Sequence, residues 1–388
     1  MRSFSGPREL VLHATSEAQV AVLDSVPMRI LQICSAREIG GGERHLADLA
    51  NALVQRGHEV FAALSPASPV RAMLSSFPPE NILEMPMRNS LNLATAMKLS
   101  RFVRANGIEI VHAHVARDYP LAALAAGRSQ GRLVLTRHVL FPLNRIHKLT
   151  LRRTSRVIAV SQAVAESLYA QSIFDAQKVV TIHNGIDLAK FERVDPRPAV
   201  SQKLRVGTAG HLSPIKGHED FVRAAALVMQ NRPEIEFVIA GEDKSPSREN
   251  SIAIAKLIRE LHLDENVKLI GWVDDMPKFL ATLDLFVSAA RSEPFGLALV
   301  EAMAAGIPVV ATASEGAREI IDDHQSGRLI PIGDVASLAR VIDELLADET
   351  QRQRLAQNAK AVAGEQFSLE RMVERTEEVY ESTKQRPG

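Results

Sequence analysis

SEPFGLALVEAMAAGIPVV, residues 292–310, places two glutamates eight positions apart around a glycine and an apolar run. The segment follows the strand-like run LDLFVSA and precedes a second strand-like run, PVVATA. This pattern predicts a strand ending just before Glu293, a helix from about Phe295 to Ala305, and a second strand. Such a strand-helix-strand unit is the building block of a parallel α/β sheet.

The start of the predicted helix suits a bound anion. The first amides of a helix lack intrahelical partners and lie at its positive end, so the amides of Phe295, Gly296 and Leu297 suit a diphosphate. Helical side chains lean toward the N-terminus, so we expect Glu301 to face the same cleft as Glu293. Two acids beside an anion site match a ligand that carries hydroxyl groups on either side of its phosphates. A nucleotide sugar has that form.

The same alternation of strands, turns and helices extends along most of the chain. One series starts with RILQIC at Arg29 and ends near Gly185, and a second runs from LRVGTAG to GRLIPI. The segment ERVDPRPAVSQ between them is interpreted as a linker. We predict an α/β fold of two facing doubly wound Rossmann-like domains, at 28–190 and 203–365, with ligands in the cleft beyond the carboxyl ends of the strands. Residues 366–388 are expected to form a helix that packs back on the first domain.

Composition excludes several other classes of protein. The 388 residues include 46 basic and 46 acidic side chains, so no overall field recruits nucleic acid. One cysteine, Cys34, cannot build a disulfide framework or a cysteine-based zinc site, which favours a reducing compartment. No apolar run reaches the ~18 residues of a membrane span, so we expect a soluble, cytoplasmic protein. Acidic and histidine side chains interrupt residues 1–27, which are expected to be a disordered arm and not a signal peptide.

The glycine loop IGGGERH does not fit the two common nucleotide fingerprints. His45 stands where the dinucleotide motif needs a small residue. The motif also needs an acid at the end of the second strand, whereas Glu59 lies at the start of that strand. The segment IKGHED has no Ser or Thr after its lysine, so it is not a P-loop. Two roles for the glycines stay open: close approach of backbone amides to a phosphate, or a plain strand-to-helix turn.

From about Met28 to the C-terminus, the sequence resembles the retaining glycosyltransferases of family 4, which have the two-domain GT-B architecture. The resemblance rests on the E-x7-E pair, Glu293 and Glu301, and on several segments that occur in the family's order. These segments are GGGE, VHAHVA, SQAVAESL, IHNGID, GHLSPIKGHEDFVRAA, IAGED, LIGWVDDMP and SGRLIPIGD.

The resemblance implies roles for individual residues of the donor site. It places Glu301 on the ribose hydroxyls and Glu293 on hydroxyls of the donor sugar. The diphosphate would bind Lys216 and the backbone of residues 295–297, and the base would meet the backbone of Val273. Where the family usually has arginine ahead of that lysine, this chain has His211, a weaker and titratable cation.

The resemblance also implies a reaction centre and an acceptor side. His114 matches the position beside the reacting sugar carbon, with Gly41 and Gly42 close by. Glu293, His114 and Lys216 are therefore the expected catalytic group. We place Arg137 and His138, which follow a predicted strand, on the acceptor side.

The expected activity is transfer of a sugar from a UDP or GDP donor, with UDP favoured, to a glycan or lipid-linked acceptor of the cell envelope. No Asp-x-Asp occurs, so the usual metal-diphosphate ligand is missing and neither a divalent metal nor another cofactor is expected. Two alternatives stay open. A nucleotide-sugar epimerase shares the architecture but releases a free altered sugar, and a degenerate subunit would bind without catalysis.

A local cluster of basic residues suggests where in the cell the protein acts. No acidic residue lies between Asp118 and Glu166, whereas eight cations do. They are Arg128, Arg132, Arg137, Arg145, Lys148, Arg152, Arg153 and Arg156. In FPLNRIHKLTLRR they alternate with Phe141, Leu143, Ile146, Leu149 and Leu151. This composition fits contact with an anionic membrane surface, and an ordinary solvated helix face is the alternative.

Overall fold

The computed structural model describes residues 26–87, 92–144, 147–192 and 203–384. Most of the predicted N-terminal arm, residues 1–25, lies outside the described residues, as do 193–202 of the predicted linker. Arg145 and Ile146 of the basic cluster lie outside them as well.

The first domain is a seven-stranded parallel sheet covered by helices. Its strands are β1 (Arg29–Cys34), β2 (Glu59–Leu64), β3 (Ile82–Glu84), β4 (Ile110–Ala113), β5 (Arg132–Arg137), β6 (Arg156–Ala159) and β7 (Val179–Thr181). Its helices are α1 (Gly41–Gln55), α2 (Leu93–Ala105), α3 (Tyr119–Gly127), α4 (His147–Thr150), α5 (Gln162–Gln171) and α6 (Ala189–Glu192). The strand order is β3-β2-β1-β4-β5-β6-β7, with every pair parallel.

The second domain repeats this plan with six parallel strands. They are β8 (Arg205–Ala209), β9 (Glu236–Ala240), β10 (Val267–Gly271), β11 (Leu285–Ser288), β12 (Val309–Thr312) and β13 (Arg328–Ile330), in the order β10-β9-β8-β11-β12-β13. The helices are α7 (His218–Met229), α8 (Glu249–Glu260), α9 (Met276–Leu280), α10 (Leu297–Ala304), α11 (Ala317–Ile320), α12 (Val335–Ala347), α13 (Glu349–Gln366) and α14 (Leu369–Ser382). The predicted fold class is confirmed.

Short 3-10 helices complete the described elements. They are Pro69–Met73, Pro79–Asn81, Ala116–Asp118, Ala176–Lys178 and Pro214–Lys216. The strands are nearly continuous apolar runs because both faces of each sheet are covered by helices.

The strand order fixes where a ligand can bind. Each sheet reverses its direction of winding at one point, between β1 and β4 in the first domain and between β8 and β11 in the second. The loops after these four strands diverge and leave a crevice at the carboxyl ends of the strands. The glycine loop, His114, Lys216 and Glu293 all lie in those four loops.

The last helix, α14, packs on the first domain through buried polar contacts. The carboxylate of Glu377 accepts hydrogen bonds from Arg56 at 2.9 Å and bonds His58 at 2.8 Å. The hydroxyl of Tyr380, which is fully buried, lies 2.7 Å from Nδ1 of His112 on β4. The C-terminal helix thereby contacts the strand that His114 directly follows.

A carboxylate of the second domain joins a helix end of the first. Glu319 on α11 accepts hydrogen bonds from the amides of Gln162 and Ala163, at 2.7 and 2.8 Å, and lies 3.1 Å from Nε2 of His183. Burial raises the pKa of Glu319, but the bonds from His183 and the two amides outweigh it, so the pKa is lowered. We call this contact the α5 clasp. It joins the domains beside the cleft.

Within the described ranges, every helix is too short or too polar to serve as a bilayer-crossing segment.

Candidate functional site

A cavity of about 520 Å³ lies between the carboxyl ends of the two sheets. Every site residue predicted from the sequence lines it. They are Gly41, Gly42, His114, Arg137 and His138 from the first domain, and His211, Lys216, Val273, Glu293, Phe295, Gly296, Leu297 and Glu301 from the second. Their roles remain predictions, whereas their common location is a property of the fold.

The glycine loop at the start of α1 approaches both walls of the cavity closely. A Cβ atom added to Gly41 would lie 3.2 Å from the side chain of Leu297, across the cleft. A Cβ atom on Gly42 would lie 3.2 Å from the ring of His138. Side chains at these positions would therefore narrow the cleft where the two domains face each other.

Helix α10 begins at Leu297, two residues later than predicted. Gly296 takes a left-handed conformation with φ of 119°, and Phe295 turns into the core, where it is 2% exposed. The carbonyl of Gly296 accepts from the amides of Leu299 and Val300. Leu297 and Ala298, the first residues of the helix, line the cleft, so the start of the helix is placed where it suits an anion.

The loop that carries Glu293 is held by the loop at 315–316. The amide of Glu293 donates to the carboxylate of Glu315 at 3.1 Å, and its carbonyl accepts from Gly316 at 2.8 Å. A Cβ atom on Gly316 would lie 2.0 Å from the carbonyl oxygen of Phe295, so only glycine fits there. The backbone around Glu293 is thereby fixed.

The loop that carries Lys216 is attached to the Glu293 loop. The amide of Arg291 donates to the carbonyl of Ile215 at 2.8 Å. Gly217, with φ of 67°, approaches the carbonyl oxygen of Ala289 so closely that a Cβ atom would lie 1.8 Å from it. These contacts bring Nζ of Lys216 to 2.5 Å from Oε2 of Glu293.

Glu301 is buried on the second turn of α10, and its only ion-pair partner among the described residues is Arg44 of α1, at 3.4 Å. Burial raises the pKa of Glu301 to about 7, and Arg44 opposes that rise. At neutral pH the carboxyl therefore exists in both protonation states. Arg44 comes from the first domain, so this contact also spans the cleft.

His211 is an uncharged residue at neutral pH. Burial, followed by the nearby charges of Lys244 and Lys216, lowers its pKa. Its ring stacks on Trp272 with 6.3 Å between centroids. The expected cation at this position is therefore missing from the free protein, because burial, and after it the charges of Lys244 and Lys216, disfavour the protonated ring.

His114 is oriented from behind by a buried polar network. Its Nε2 lies 2.8 Å from the amide oxygen of Gln32, whose nitrogen lies 3.4 Å from the hydroxyl of Tyr380 on α14. An amide oxygen only accepts, so Nε2 of His114 carries the proton and Nδ1 is free to accept. Burial lowers the pKa of His114 well below its ordinary value.

Arg137 and His138 line the first-domain side of the cavity, below the glycine loop. Arg137 is 4% exposed, and its guanidinium donates to the carbonyl of Phe141. Burial lowers the pKa of His138, so its ring is neutral at pH 7. The burial of Arg137 removes it from the basic surface proposed for residues 128–156.

Sequence reasoning missed two charged or aromatic residues of the cavity wall, Trp272 and Arg44, and the neighbouring Lys244. Trp272, the only tryptophan, lies beside Val273, and its ring receives Arg44 at 5.5 Å and Lys244 at 5.7 Å. Nζ of Lys244 also donates to the carbonyl of Ile39 in the glycine loop at 2.7 Å. A lone tryptophan after a strand was a signal for a ligand wall, but no local pattern marked Arg44 or Lys244.

Two protein-family models match this chain in succession. The model described as Glycosyltransferase Family 4 matches residues 39–190, and the model described as Glycosyl transferases group 1 matches residues 191–362. Together they cover residues 39–362, which include every residue that lines the cavity.

Curated relatives match over most of their length. The lipopolysaccharide core biosynthesis glycosyltransferase LpsE of Rhizobium meliloti is 27% identical, over 85% of this chain and 93% of that protein. N-acetyl-alpha-D-glucosaminyl L-malate synthase of Bacillus anthracis is 25% identical, over 88% and 94%. Phosphatidyl-myo-inositol mannosyltransferase of Mycolicibacterium smegmatis is 27% identical, over 84% and 86%.

Solved structures share the two-domain arrangement. Anabaena HepE in complex with UDP and glucose superposes with a TM-score of 0.80 at 25% identity, covering 92% of this chain and all of that one. A glycosyltransferase from Rickettsia africae superposes with a TM-score of 0.82 at 22% identity, covering 94% of this chain and all of that one, and this likeness shows the fold alone.

Proposed function

The chain belongs to glycosyltransferase family 4 and has the GT-B fold, and we propose that it transfers a sugar from a nucleoside diphosphate donor to an acceptor hydroxyl with retention of the anomeric configuration. The observation that carries the proposal is the meeting of Lys216, Glu293, Glu301 and the start of α10 in one interdomain cavity. A cation and free helix amides suit a diphosphate, and the two carboxyl groups suit the hydroxyls on its flanks.

In this proposal the donor lies across the second-domain wall. Lys216 and the first amides of α10 bind the diphosphate, Glu301 receives the ribose hydroxyls, and Glu293 receives the sugar hydroxyls. The base lies against the backbone of Val273, next to Trp272. The structure of HepE in complex with UDP and glucose supports a uridine nucleotide as the first donor to test, with GDP as the alternative.

The activation barrier of the transfer is lowered by positioning the two substrates and by stabilising charge on the leaving group. The closed cleft holds acceptor and donor together, which replaces a bimolecular encounter by a local one. As the bond between the sugar and the phosphate breaks, charge grows on the departing phosphate oxygen, and Lys216 and the helix amides stabilise it. We propose that these groups replace a divalent ion and that no cofactor is required.

The acceptor enters from the first-domain side, where His114, Arg137 and His138 line the cavity. We place its attacking hydroxyl beside His114, opposite Glu293. The hydroxyl oxygen bonds to the anomeric carbon as the bond from that carbon to the diphosphate breaks, and the hydroxyl proton passes to the departing phosphate. The names of two relatives, a lipopolysaccharide core enzyme and a phosphatidyl-myo-inositol mannosyltransferase, support a polysaccharide, lipopolysaccharide or glycolipid acceptor of the cell envelope.

We propose that the enzyme works at the cytoplasmic face of a membrane. Phe141 is 69% exposed and Leu149 is 78% exposed, and the exposed cations Lys148, Arg152 and Arg153 lie close to them in sequence. Such a surface suits anionic lipid. Two of the apolar residues in the segment do not belong to it, because Leu143 and Leu151 are buried in the core.

Product identification tests the function. The protein is incubated with sugar-labelled UDP and GDP donors and a lipid and oligosaccharide extract, and the products are separated by chromatography and mass. The proposal expects label in a glycosylated acceptor. A free altered sugar would indicate the epimerase, and donor binding without any product would indicate a binding subunit.

A further inference from the structure

Three lysine or arginine side chains line the cavity, and they differ in their partners. Arg44 pairs with Glu301 at 3.4 Å, and Lys216 pairs with Glu293 at 2.5 Å. The third, Arg137, has no carboxylate within 4.0 Å among the described residues. The cation on the acceptor side of the cavity is therefore the one whose charge the described protein leaves unpaired.

Arg137 is also buried, with 4% of its surface exposed at the end of β5. Its guanidinium donates to the carbonyl of Phe141, and another polar neighbour is the hydroxyl of Tyr119. Both oxygens are uncharged at neutral pH, because burial raises the pKa of Tyr119 to about 12. Arginine stays charged at physiological pH, and a buried charge without an opposite charge costs free energy. Such a residue indicates an anionic ligand.

The acidic residues closest to Arg137 in sequence and in the cavity wall are engaged elsewhere. Residues 119–165 contain no aspartate or glutamate. Asp118, which precedes that stretch, accepts a hydrogen bond from the amide of Ser35 at 2.7 Å. Glu43, the remaining acid of the cavity wall, accepts one at 2.9 Å from the amide that precedes its own helix. Within the described part of the chain, the charge of Arg137 therefore has no counterion.

We propose that Arg137 binds an oxyanion of the acceptor, a phosphate or a carboxylate, so that the enzyme glycosylates an acidic acceptor. The proposal rests on the proposed function, which places the acceptor on this wall of the cavity. The N–H groups of a guanidinium match two oxygens of such an anion. The donor diphosphate has its own cation, Lys216, on the opposite wall. The anion of the acceptor neutralises the buried charge and fixes which acceptor hydroxyl lies beside His114.

The test compares three forms of one sugar, namely glucose 6-phosphate, glucuronate and glucose, as probes of the full chain. Their affinities are measured by ligand-observed NMR titration without a donor. We expect the wild type to bind at least one of the two acidic sugars about tenfold or more tightly than glucose, and the preferred one identifies the anion as phosphate or carboxylate. Arg137→Gln should lose this preference. The matched control Arg101→Gln, at an exposed arginine of α2 in the same domain, should keep it.

A second variant separates this position from the diphosphate position. Lys216→Ala should keep the preference for the acidic sugar, whereas loss of the preference in Lys216→Ala together with its persistence in Arg137→Gln would overturn the proposal. Equal affinity of the wild type for all three sugars would overturn it as well. Circular dichroism checks folding, and if Arg137→Gln is unfolded, an unchanged preference in Arg137→Lys, which lacks the planar fork, would count against the proposal. The readout needs no turnover, so its failure is distinct from a failure of sugar transfer.

Discussion

Nζ of Lys216 lies 2.5 Å from Oε2 of Glu293, and the two side chains come from loops that follow neighbouring strands, β8 and β11. The ion pair keeps the cation and the carboxylate in one place in the free protein. A donor can use both at once, with its phosphate on the lysine and its sugar on the glutamate. The positive charge of Lys216 therefore offsets the repulsion between the carboxylate of Glu293 and the diphosphate.

Lys216→Ala tests this pairing. The variant removes the cation at the leaving group and leaves Glu293 unpaired beside the phosphates. We expect kcat/KM to fall by about 10²–10³. Lys256→Ala, at an exposed lysine of α8, is the control and should keep wild-type kinetics. Excess chelator should leave wild-type activity unchanged, and a strict magnesium requirement would contradict this account of the leaving group.

Glu301→Gln separates stability from donor binding. The pKa of Glu301 is raised from 4.5 to about 7, so the native protein binds this proton more tightly than the unfolded chain. Stability therefore falls as pH rises through that window, and the loss persists above pH 7. Glutamine carries no charge to bury, so at pH 8 the variant should be more stable by up to about 3 kcal/mol, and at pH 5 nearly equal to the wild type.

Thermal unfolding at pH 5 and pH 8 measures this difference, with the exposed Glu378→Gln as control. As pH rises, the donor affinity of the wild type should increase while its stability decreases, because the carboxylate is the form that accepts ribose hydroxyls. Wild-type affinity should rise between pH 6 and pH 8. A variant that is no more stable than the wild type at pH 8 would show that Glu301 is not a buried charge.

Glu319→Ala tests the α5 clasp. The substitution removes the acceptor of two amides of the first domain, so Gln162 and Ala163 should exchange their amide hydrogens about 10–100-fold faster. The contribution of the clasp is full above the ordinary carboxyl pKa and is lost as pH falls through the lowered pKa of Glu319. Unchanged exchange in Glu319→Ala, relative to the exposed control Glu378→Ala, would mean that the clasp does not hold the domains.

Membrane contact is tested by a paired substitution. Phe141→Ser with Leu149→Ser removes the two exposed apolar side chains, whereas Ile252→Ser, 61% exposed on the second domain, is the matched control. We expect the wild type and the control to co-sediment with anionic vesicles at low salt, and the double variant to lose most of that binding. Each cation at the surface contributes about 1 kcal/mol, so high salt should release the protein. Equal binding to neutral vesicles would contradict the proposal.

Much of the fold follows from local pattern. Twelve of the strands in the described residues, all but β3, coincide with β-branched runs of the sequence, because parallel strands are buried on both faces. The strand β3 has three residues and is only partly buried, so it is too short to show a periodic pattern in the sequence. The helix at Leu297 started later than predicted because Gly296 adopts a positive φ.

The parts of the site that local pattern could not predict arise from contacts between distant segments. The pKa of His211 depends on burial and on the charges of Lys244 and Lys216, and the pKa of Glu301 depends on burial and on Arg44 of the other domain. Arg137 was assigned both to the acceptor side of the cleft and to the basic surface cluster, and its burial at the end of β5 fits only a place in the cavity wall. Each of these properties is set by packing between segments far apart in sequence.

The most direct test of the central claim is calorimetric titration of UDP-sugars and GDP-sugars into the wild type, Glu301→Ala and Glu378→Ala, in excess chelator. The account predicts that at least one donor binds the wild type and Glu378→Ala with one site per chain, and that Glu301→Ala binds it about tenfold or more weakly, since ribose contacts act in the ground state. Absence of binding by every donor, or equal affinity in Glu301→Ala, would contradict a nucleotide-sugar site in this cleft.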